Sequence, residues 1–220
     1  MNLNIYNSKV RKPWGYEYLA YQNDEVGLWI LHIAPNHSTS MHCHTKKTTG
    51  LIVLDGQIEI SFIGDKTVLN KLDKRMIRRG LFHSSKSISK NETILLEIET
   101  PNNKSDLVRL TDNYGRKLTP YEKEFETPNE SFLLIDENVS DYLYGGCKIK
   151  LFTYSNASEL INLPDETLIV FLKGGISTIN DEKVVAAGDV GYVGIVKKVF
   201  ENIPNFSHDT IFLAINLNEN

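Results

Sequence analysis

The sequence predicts an all-β protein with two β-barrels in tandem. Short runs rich in Val, Ile, Phe and Tyr recur along its 220 residues, and Gly, Asp, Asn and Pro separate them. Helical periodicity is scarce and is confined to residues 121–126 and 157–163. Many short strands at close spacing are typical of a β-sandwich or β-barrel. The predicted strands are residues 28–33, 50–54, 57–62, 93–99, 131–135, 148–154, 167–172 and 210–217.

A weak internal repeat supports the tandem arrangement. Residues 50–62 (GLIVLDGQIEISF) resemble residues 168–179 (LIVFLKGGISTI), since each has an apolar strand, a Gly turn and an alternating strand. Between the two halves, residues 117–130 (KLTPYEKEFETPNE) are polar and contain two prolines, which is typical of a domain boundary. We therefore expect one barrel over residues 1–118 and a second over residues 129–220.

Composition and charge narrow the choice of function. The formal net charge is −4, so we expect no general nucleic-acid binding. No apolar run approaches the ~20 residues that cross a bilayer, and the first ten residues do not resemble a signal peptide. Two cysteines cannot form a disulfide framework. These features predict a cytoplasmic protein that binds no membrane.

The most informative motif is a pair of histidines two residues apart. In a strand, side chains at i and i+2 share a face, so His42 and His44 point together while Cys43 faces away. Two neutral imidazoles on one rigid face form half of a transition-metal site. The alternative is a pair of exposed strand histidines.

The run MHCHTKKTTGLIVLDGQIEI, residues 41–60, resembles the first motif of the cupin superfamily. That motif is His-x-His, four residues, an acid, six residues and then Gly. Here His42, His44 and Gly56 keep the spacing, whereas Thr49 stands at the position of the acid. The resemblance implies a jelly-roll barrel that binds a metal.

The second cupin motif is similar to LDKRMIRRGLFH, which ends at His83. Asp73, Gly80 and His83 keep its spacing, while Leu72 and Arg78 replace the usual Gly and Pro. The two motifs together imply one divalent transition metal per chain (Zn, Fe, Ni or Mn) in the first barrel, with His42, His44 and His83 as its ligands. The cupin resemblance also implies a homodimer.

The second half resembles a cupin barrel without the metal. Gly188 and Asp189 match the start of the second motif. The three histidine positions, counted along the chain, carry residues that bind no metal: Leu160, Asn162 and Val199. We therefore expect this barrel to be kept for packing and association.

Two flanking segments resemble a narrower family. Residues 12–17 (KPWGYE) and 106–116 (DLVRLTDNYGR) are similar to the flanks of the cupin domain in type II mannose-6-phosphate isomerases. The resemblance covers residues 10–116. It implies a phosphorylated sugar or nucleotide sugar as the small-molecule partner, as in polysaccharide biosynthesis.

Several polar residues are candidates for binding and catalysis. Arg78 could hold a substrate phosphate bidentately, together with Lys47 and Thr49 of the first motif; a charged, solvated β-edge is the alternative for the basic residues. Either Glu97 or Glu99 could supply a base or replace the missing acidic ligand, and we expect only one of the two to face the pocket. Weaker candidates for catalysis are Tyr114 and Arg116.

These residues support two classes of function. In the first, a metal-dependent isomerase or epimerase moves a proton through an enediol. Three neutral histidines without a carboxylate also resemble the iron sites of thiol and diketone dioxygenases. In the second class, a non-catalytic protein with two cupin barrels binds a sugar nucleotide or a partner enzyme.

Overall fold

The computed structural model describes residues 9–116, 118, 121, 125–126, 133–136, 141–153, 157–203 and 205–218. The chain divides into two compact units, Met1–Leu134 and Ile135–Asn220. Strands dominate both units and neighbouring strands pair antiparallel, which confirms the all-β prediction. The barrel limits of 1–118 and 129–220 stay a prediction. No helix in the described part of the chain is long and apolar enough to cross a membrane.

The first unit consists of two antiparallel sheets. A seven-stranded sheet has the order β12-β1-β2-β3-β10-β5-β8, and a five-stranded sheet has the order β11-β4-β9-β6-β7. The strands are β1 Lys9–Lys12, β2 Gly15–Gln22, β3 Gly27–Ile33, β4 Met41–Cys43, β5 Thr48–Asp55, β6 Ile58–Phe62, β7 Asp65–Leu69, β8 Lys74–Ile77, β9 His83–Ser87, β10 Thr93–Thr100, β11 Val108–Thr111 and β12 Phe125–Glu126.

The core of this unit lies between its sheets. Because side chains alternate along a strand, Leu51 and Val53 of β5 share one face and meet Leu95 of β10. Ile58 and Ile60 of β6 join the same cluster from the five-stranded sheet. This apolar core fixes the sheets on which the polar residues of the site stand.

The second unit has one five-stranded sheet, one hairpin and two helices. The sheet has the order β13-β14-β19-β15-β18, and β16 pairs with β17. Its elements are β13 Tyr142–Tyr144, β14 Cys147–Thr153, α1 Ala157–Ile161, β15 Leu168–Lys173, β16 Gly175–Ser177, β17 Lys183–Ala186, β18 Val190–Tyr192, α2 Val193–Asn202 and β19 Ile211–Leu217.

The two units repeat one strand order. The run β2-β3-β10-β5-β8 of the first unit matches β13-β14-β19-β15-β18 of the second. The turn glycines of the sequence repeat, Gly56 and Gly174, have positive φ angles of 79° and 65°. A Cβ at Gly56 would lie 3.3 Å from the Cα of Thr93, and one at Gly174 would lie 2.9 Å from that of Thr210. Both turns therefore require glycine, and the repeat extends from sequence to backbone.

The turn before β8 also has its counterpart before β18. The Leu72 N–H donates to the Val53 carbonyl at 2.8 Å, as the Gly188 N–H does to the Phe171 carbonyl at 2.7 Å. Both residues have positive φ, 65° for Leu72 and 92° for Gly188. Leu72 thus adopts a backbone conformation that favours glycine, which is the residue that the second cupin motif has there.

Helices change the second unit where the first carries its histidines. In chain order, α1 lies between β14 and β15, at the place where the first unit has strand β4. Helix α2 follows β18, at the place where the first unit has the loop that leads into β9. Leu160 of α1 and Val196 of α2 pack with Phe171 and Ala214 in an apolar cluster. Ala214 pairs with Ile169 in the second unit, at the position that corresponds to the pairing of Glu97 with Leu51 in the first unit. The apolar core of the second unit therefore occupies the place of the polar groups of the first. Val199, one of the three counted positions, lies on α2 and not on a strand.

Two predicted elements differ from the structure. Of the strand expected at 131–135, residues 131–132 lie outside the described residues, and residues 133–135 form no strand. Of the helical pattern at 121–126, residues 122–124 lie outside the described residues, and Phe125–Glu126 form β12, which pairs with β1. The pattern at 157–163 is a helix, Ala157–Ile161, as predicted.

Candidate metal centre

Three histidines meet on the five-stranded sheet of the first unit. His42 lies on β4 and pairs directly with His83, the first residue of β9, and His44 follows β4 on the same side as His42. The ring centroids of His42 and His83 are 4.4 Å apart, and those of His42 and His44 are 5.0 Å apart. One ring nitrogen from each histidine lies within 4.8 Å of the others. The cluster could therefore hold a metal ion.

Backbone carbonyls fix the orientation of all three rings. The Nδ1 atoms lie 2.7 Å from the Ser40 oxygen for His42, 2.5 Å from the Asp106 oxygen for His44 and 3.0 Å from the Leu81 oxygen for His83. An Nδ1–H that donates to a carbonyl leaves Nε2 as the basic nitrogen, which is the usual arrangement around a metal. The Nε2 of His44 is buried and has no hydrogen-bond partner.

Burial keeps the three imidazoles neutral. Desolvation lowers the pKa of His44 to about 3 and lowers the pKa of His83. For His42, burial and then the nearby His83 and His44 hold the pKa well below its usual range. A neutral imidazole is the form that binds a transition metal, so the residues present fit such an ion.

Gly80 shapes the loop that carries His83. Its N–H donates to the His44 carbonyl at 2.7 Å, and its φ angle is 74°, a conformation that favours glycine. This bond connects the two motifs that the sequence resemblance identified. It therefore holds the loop before β9 against the end of the His-x-His segment.

Thr49 is buried where the first cupin motif has an acid. It lies on β5 between Ile77 of β8 and Glu99 of β10, with no solvent exposure. Its Oγ1 has no hydrogen-bond partner. Thr49 is not among the residues that line the cavity at the histidines.

Both Glu97 and Glu99 face the cavity, so the expectation that only one would do so is wrong. They are two residues apart on β10, and alternation places such residues on the same face. Glu97 pairs with Leu51 and Glu99 with Thr49 on β5. Glu97 is the carboxylate whose charge raises the pKa of all three histidines against the effect of burial.

Two lysines neutralise these carboxylates. Lys104 Nζ lies 2.6 Å from Glu97 Oε2 and 2.8 Å from Glu99 Oε1, and Lys47 Nζ lies 2.7 Å from Glu99 Oε1. Burial opposes ionisation of Glu97, but the ammonium groups of Lys104 and Lys47 hold its pKa below the usual range. Although burial opposes the charge of Lys104, the carboxylates of Glu17, Glu97 and Glu99 raise its pKa. The cavity therefore contains the ionised carboxylate of Glu97 beside neutral histidines.

Asp106 positions the segment after β4. Its carboxylate accepts the N–H groups of Thr45, Lys46 and Lys47 at 2.7–3.0 Å, and its carbonyl accepts from His44. Burial opposes the charged form, but hydrogen bonds from the Lys46 N–H and from Thr45 lower the pKa of Asp106 to about 2. One residue thus orients His44 and the backbone that carries Lys47.

The remaining predicted site residues lie in different places. Lys47 and Arg116 line the cavity, and Arg116 Nη2 bonds Asp112 at 2.7 Å. Arg78 is exposed and does not line the cavity. Tyr114 does not line it either, and its hydroxyl accepts the Ser38 N–H at 3.3 Å.

The cavity opens to solvent and includes polar residues that sequence reasoning missed. Among them are Lys12, Glu17, Lys104, Arg109 and Tyr121. The Tyr121 hydroxyl bonds the Glu17 carboxylate, and Lys12 Nζ lies 3.7 Å above the Tyr121 ring. Arg109 belongs to the flanking segment DLVRLTDNYGR, whose family resemblance does not single out this residue.

The sequence matches no protein-family model and no curated protein. Among solved structures, it is similar to an uncharacterized conserved protein with a double-stranded β-helix domain from Klebsiella pneumoniae (18% identity, 40% of this chain, 72% of that chain, TM-score 0.38). It is also similar to the capsular polysaccharide assembling protein CapF from Staphylococcus aureus (16% identity, 47% of this chain, 34% of that chain, TM-score 0.43). A third is a sugar phosphate isomerase from a cupin superfamily from Silicibacter pomeroyi (14% identity, 36% of this chain, 52% of that chain, TM-score 0.34).

These similarities each cover less than half of this chain. At identities below 25% and TM-scores below 0.5 they carry no argument about activity. The narrower resemblance to type II mannose-6-phosphate isomerases has no counterpart among these three and stays a prediction. The candidate site therefore depends on this chain's own residues.

Proposed function

We propose that the chain is a metal-dependent enzyme that isomerises or epimerises a sugar phosphate or a nucleotide sugar. The observation that carries this proposal is the histidine cluster, in which the buried rings of His44 and His83 and the half-buried ring of His42 have Nδ1 bonded to backbone carbonyls. The cluster opens into a cavity that also contains Glu97, Glu99 and three lysines. This combination of a candidate metal site with carboxylates suits proton transfer next to a carbonyl group.

His42, His44 and His83 would hold the metal. Neutral imidazoles suit Zn, Fe or Ni better than Mg or Ca. When bound, such an ion polarises hydroxyl and carbonyl oxygens and so acidifies the adjacent C–H group. With three protein ligands, positions remain for water or substrate.

Glu99 is the candidate base with the most suitable contacts. Lys47 and Lys104 hold its Oε1, whereas its Oε2 is buried without a hydrogen-bond partner. A carboxylate fixed in this way can take a proton from one substrate carbon and return it to the neighbouring carbon. Glu97 is held ionised by Lys104 at 2.6 Å and is the second candidate.

Polar residues at the cavity orient the substrate. Lys47 and Arg116 line the cavity, so both can contact substrate oxygens. Arg78, Thr49 and Tyr114 do not line it, and we assign no substrate contact to them. Tyr114 instead bonds the backbone before β4, so it acts on the site through the strand that carries His42.

Solvent exchange tests the reaction class. Metal-loaded protein is incubated in D2O with a panel of aldose phosphates, ketose phosphates and nucleotide sugars that carry a keto group, and NMR follows deuterium at the carbon next to the carbonyl group. We expect exchange into at least one sugar, loss of exchange in Glu99→Gln, and full exchange in the control Glu59→Gln, whose carboxylate bonds Lys66 outside the cavity. Metal binding without exchange into any sugar would favour a non-catalytic sugar-nucleotide-binding protein.

One observation favours a second candidate, an Fe(II) dioxygenase. Among the described residues, the ligand group contains three histidines and no carboxylate. Such a site suits oxygen chemistry on a chelating substrate. Oxygen consumption by the Fe(II)-loaded protein with thiol or diketone substrates, and none with Zn(II), would support this candidate over the isomerase.

A further inference from the structure

We infer that Tyr121 and Glu17 form a relay that moves a proton between two adjacent oxygens of the substrate. This inference rests on the proposed function and narrows it to isomerisation, because epimerisation next to a carbonyl group requires no proton transfer between oxygens. The substrate is then an aldose or ketose phosphate, in which a hydroxyl group lies next to the carbonyl group. Tyr121 lies in the polar segment 117–130, and sequence reasoning assigned it no role in catalysis.

A hydrogen bond joins the two residues at the cavity. The Tyr121 hydroxyl donates to Oε1 of Glu17, and both residues line the cavity that contains the histidine cluster. Glu17 of β2 pairs with Leu31 of β3, which belongs to the apolar core, so the Glu17 side chain faces the interior. Only 4% of Glu17 is exposed, whereas Tyr121 is half-buried. The carboxylate can therefore exchange a proton with a ligand through the phenol, which is the more exposed of the two.

Two ammonium groups support the relay. The Nζ atoms of Lys12 and Lys104 lie 3.6 Å and 3.5 Å from Glu17 Oε1, the oxygen that accepts the phenol hydroxyl. Lys12 Nζ also lies 3.7 Å from the centroid of the Tyr121 ring. Burial, and then the charge of Glu17 and the hydrogen bond to it, raise the pKa of Tyr121, so the phenol keeps its proton before reaction. The nearby cations lower the cost of negative charge that develops on the phenol oxygen during transfer.

Lys104 places the relay next to the candidate base. Its Nζ lies 3.5 Å from Glu17 Oε1 and 2.8 Å from Glu99 Oε1, so one ammonium group contacts both carboxylates. Glu99 and Tyr121 line the same cavity. A bound sugar can therefore meet Glu99 at a carbon and Tyr121 at an adjacent oxygen.

Isomerisation requires one proton transfer between carbons and one between oxygens. Glu99 takes the proton from the carbon that bears the hydroxyl, the C–H electron pair forms the C=C bond of the enediol, and the carbonyl pair stays on oxygen. The hydroxyl then gives its proton to Tyr121 as the phenol proton passes to Glu17, and the O–H pair forms the new C=O bond. The C=C pair takes the proton from Glu99 at the former carbonyl carbon. Glu17 returns its proton through Tyr121 to the former carbonyl oxygen, so both residues recover their starting state.

Two signals from one D2O incubation test the relay. They are deuterium exchange at the carbon next to the carbonyl group and conversion of an aldose phosphate to its ketose phosphate. In metal-loaded Tyr121→Phe we expect conversion to fall at least about a hundredfold and carbon exchange to fall less than about tenfold, because Glu99 still takes the carbon proton. Zn(II) binding, measured by calorimetry, should equal that of wild type. The control Tyr142→Phe, whose hydroxyl bonds the Asp136 carbonyl at 2.9 Å outside the cavity, should match wild type in both signals.

Glu17→Gln keeps the test decisive if Tyr121→Phe does not fold. The glutamine amide oxygen still accepts the Tyr121 hydroxyl but takes up no proton, so conversion should fall while carbon exchange persists. Wild-type conversion in either variant would overturn the relay and leave the proposed function standing. Parallel loss of both signals in both variants would also overturn the relay, because a merely structural bond affects the two signals together. Exchange without conversion by wild type would overturn the relay and leave an epimerase, whereas no exchange into any sugar would overturn the proposed function and the relay with it.

Discussion

Replacing Lys104 by methionine is expected to destabilise the first unit by about 3–5 kcal/mol. The Lys104 ammonium lies 2.6 Å from Glu97, 2.8 Å from Glu99 and 3.5 Å from Glu17, and its side chain is only 15% exposed. At an effective dielectric constant of about 20, each contact near 2.7 Å provides about 6 kcal/mol of Coulomb attraction. In the wild type, the cost of burying the charges offsets most of this attraction. In the variant, three carboxylates would remain around the position of the missing ammonium, and their uncompensated charge would destabilise the fold.

Urea unfolding at several pH values measures this effect. In the wild type, the folded-state pKa of Glu97 is lower than its unfolded pKa, which is near 4.5. At pH values above 4.5 the ionised carboxylate therefore stabilises the fold, and this contribution is lost as the pH falls through the folded-state pKa. Without Lys104, Lys47 is the remaining ammonium group that opposes the effect of burial, so the folded pKa of Glu97 rises and protonation relieves part of the cost. We therefore expect the difference between wild type and Lys104→Met to be largest at pH 7 and to narrow towards pH 4.

Lys66→Met is the matched control. Lys66 Nζ lies 2.9 Å from Glu59 Oε2, but its side chain is 70% exposed, so its loss should cost less than about 1 kcal/mol. Equal destabilisation by Lys104→Met and Lys66→Met would refute the argument that Lys104 neutralises a buried cluster. A difference that stays constant from pH 7 to pH 4 would refute the assigned ionisation states.

Three further predictions concern the anchor, one turn and the assembly. Asp106→Asn should lower the free energy of unfolding in urea by about 1–2 kcal/mol at pH 7. This loss should become smaller as the pH falls from the unfolded pKa of 3.8 towards the folded pKa of about 2, because Asp106 stabilises the fold only while its carboxylate is ionised. Leu72→Gly should leave stability unchanged or raise it by up to about 1 kcal/mol in thermal unfolding, because the φ angle of Leu72 is 65°, a conformation that favours glycine. Gly188→Ala should lower stability, because the φ angle of Gly188 is 92°. Sedimentation at micromolar concentration should give a homodimer, and a mass near the 25.0 kDa monomer would contradict it.

Sequence reasoning recovered the histidine cluster because each of the two motifs that carry its histidines is a local pattern. His42 and His44 share a strand face at a separation of two residues, and His83 follows a turn whose Gly80 has positive φ. The error about Glu97 and Glu99 had the same basis, since a separation of two should have placed both on one face. Alternation was thus sufficient to predict both acids in the cavity.

The other cavity residues depend on contacts that local patterns do not encode. Lys104 reaches the cavity from the segment after β10, and Arg109 does so through the pairing of β11 with β4. Helix α2 could not be expected from a search for cupin strands, because Gly188 and Asp189 kept the motif that precedes it. Contacts between segments that are distant in sequence, rather than residue types, determine where these residues lie.

The most direct test of the metal site is calorimetric titration of metal-free protein with Zn(II), Fe(II) and Ni(II). Three proteins are compared: wild type, His83→Ala and the control His37→Ala, whose histidine is exposed and outside the cluster. We predict that wild type and His37→Ala each bind one ion per chain, and that His83→Ala binds the ion at least about a hundredfold more weakly. The circular dichroism of His83→Ala should be unchanged, because the core of the first unit is apolar. Equal binding by wild type and His83→Ala, or no binding by wild type, would contradict the three-histidine site.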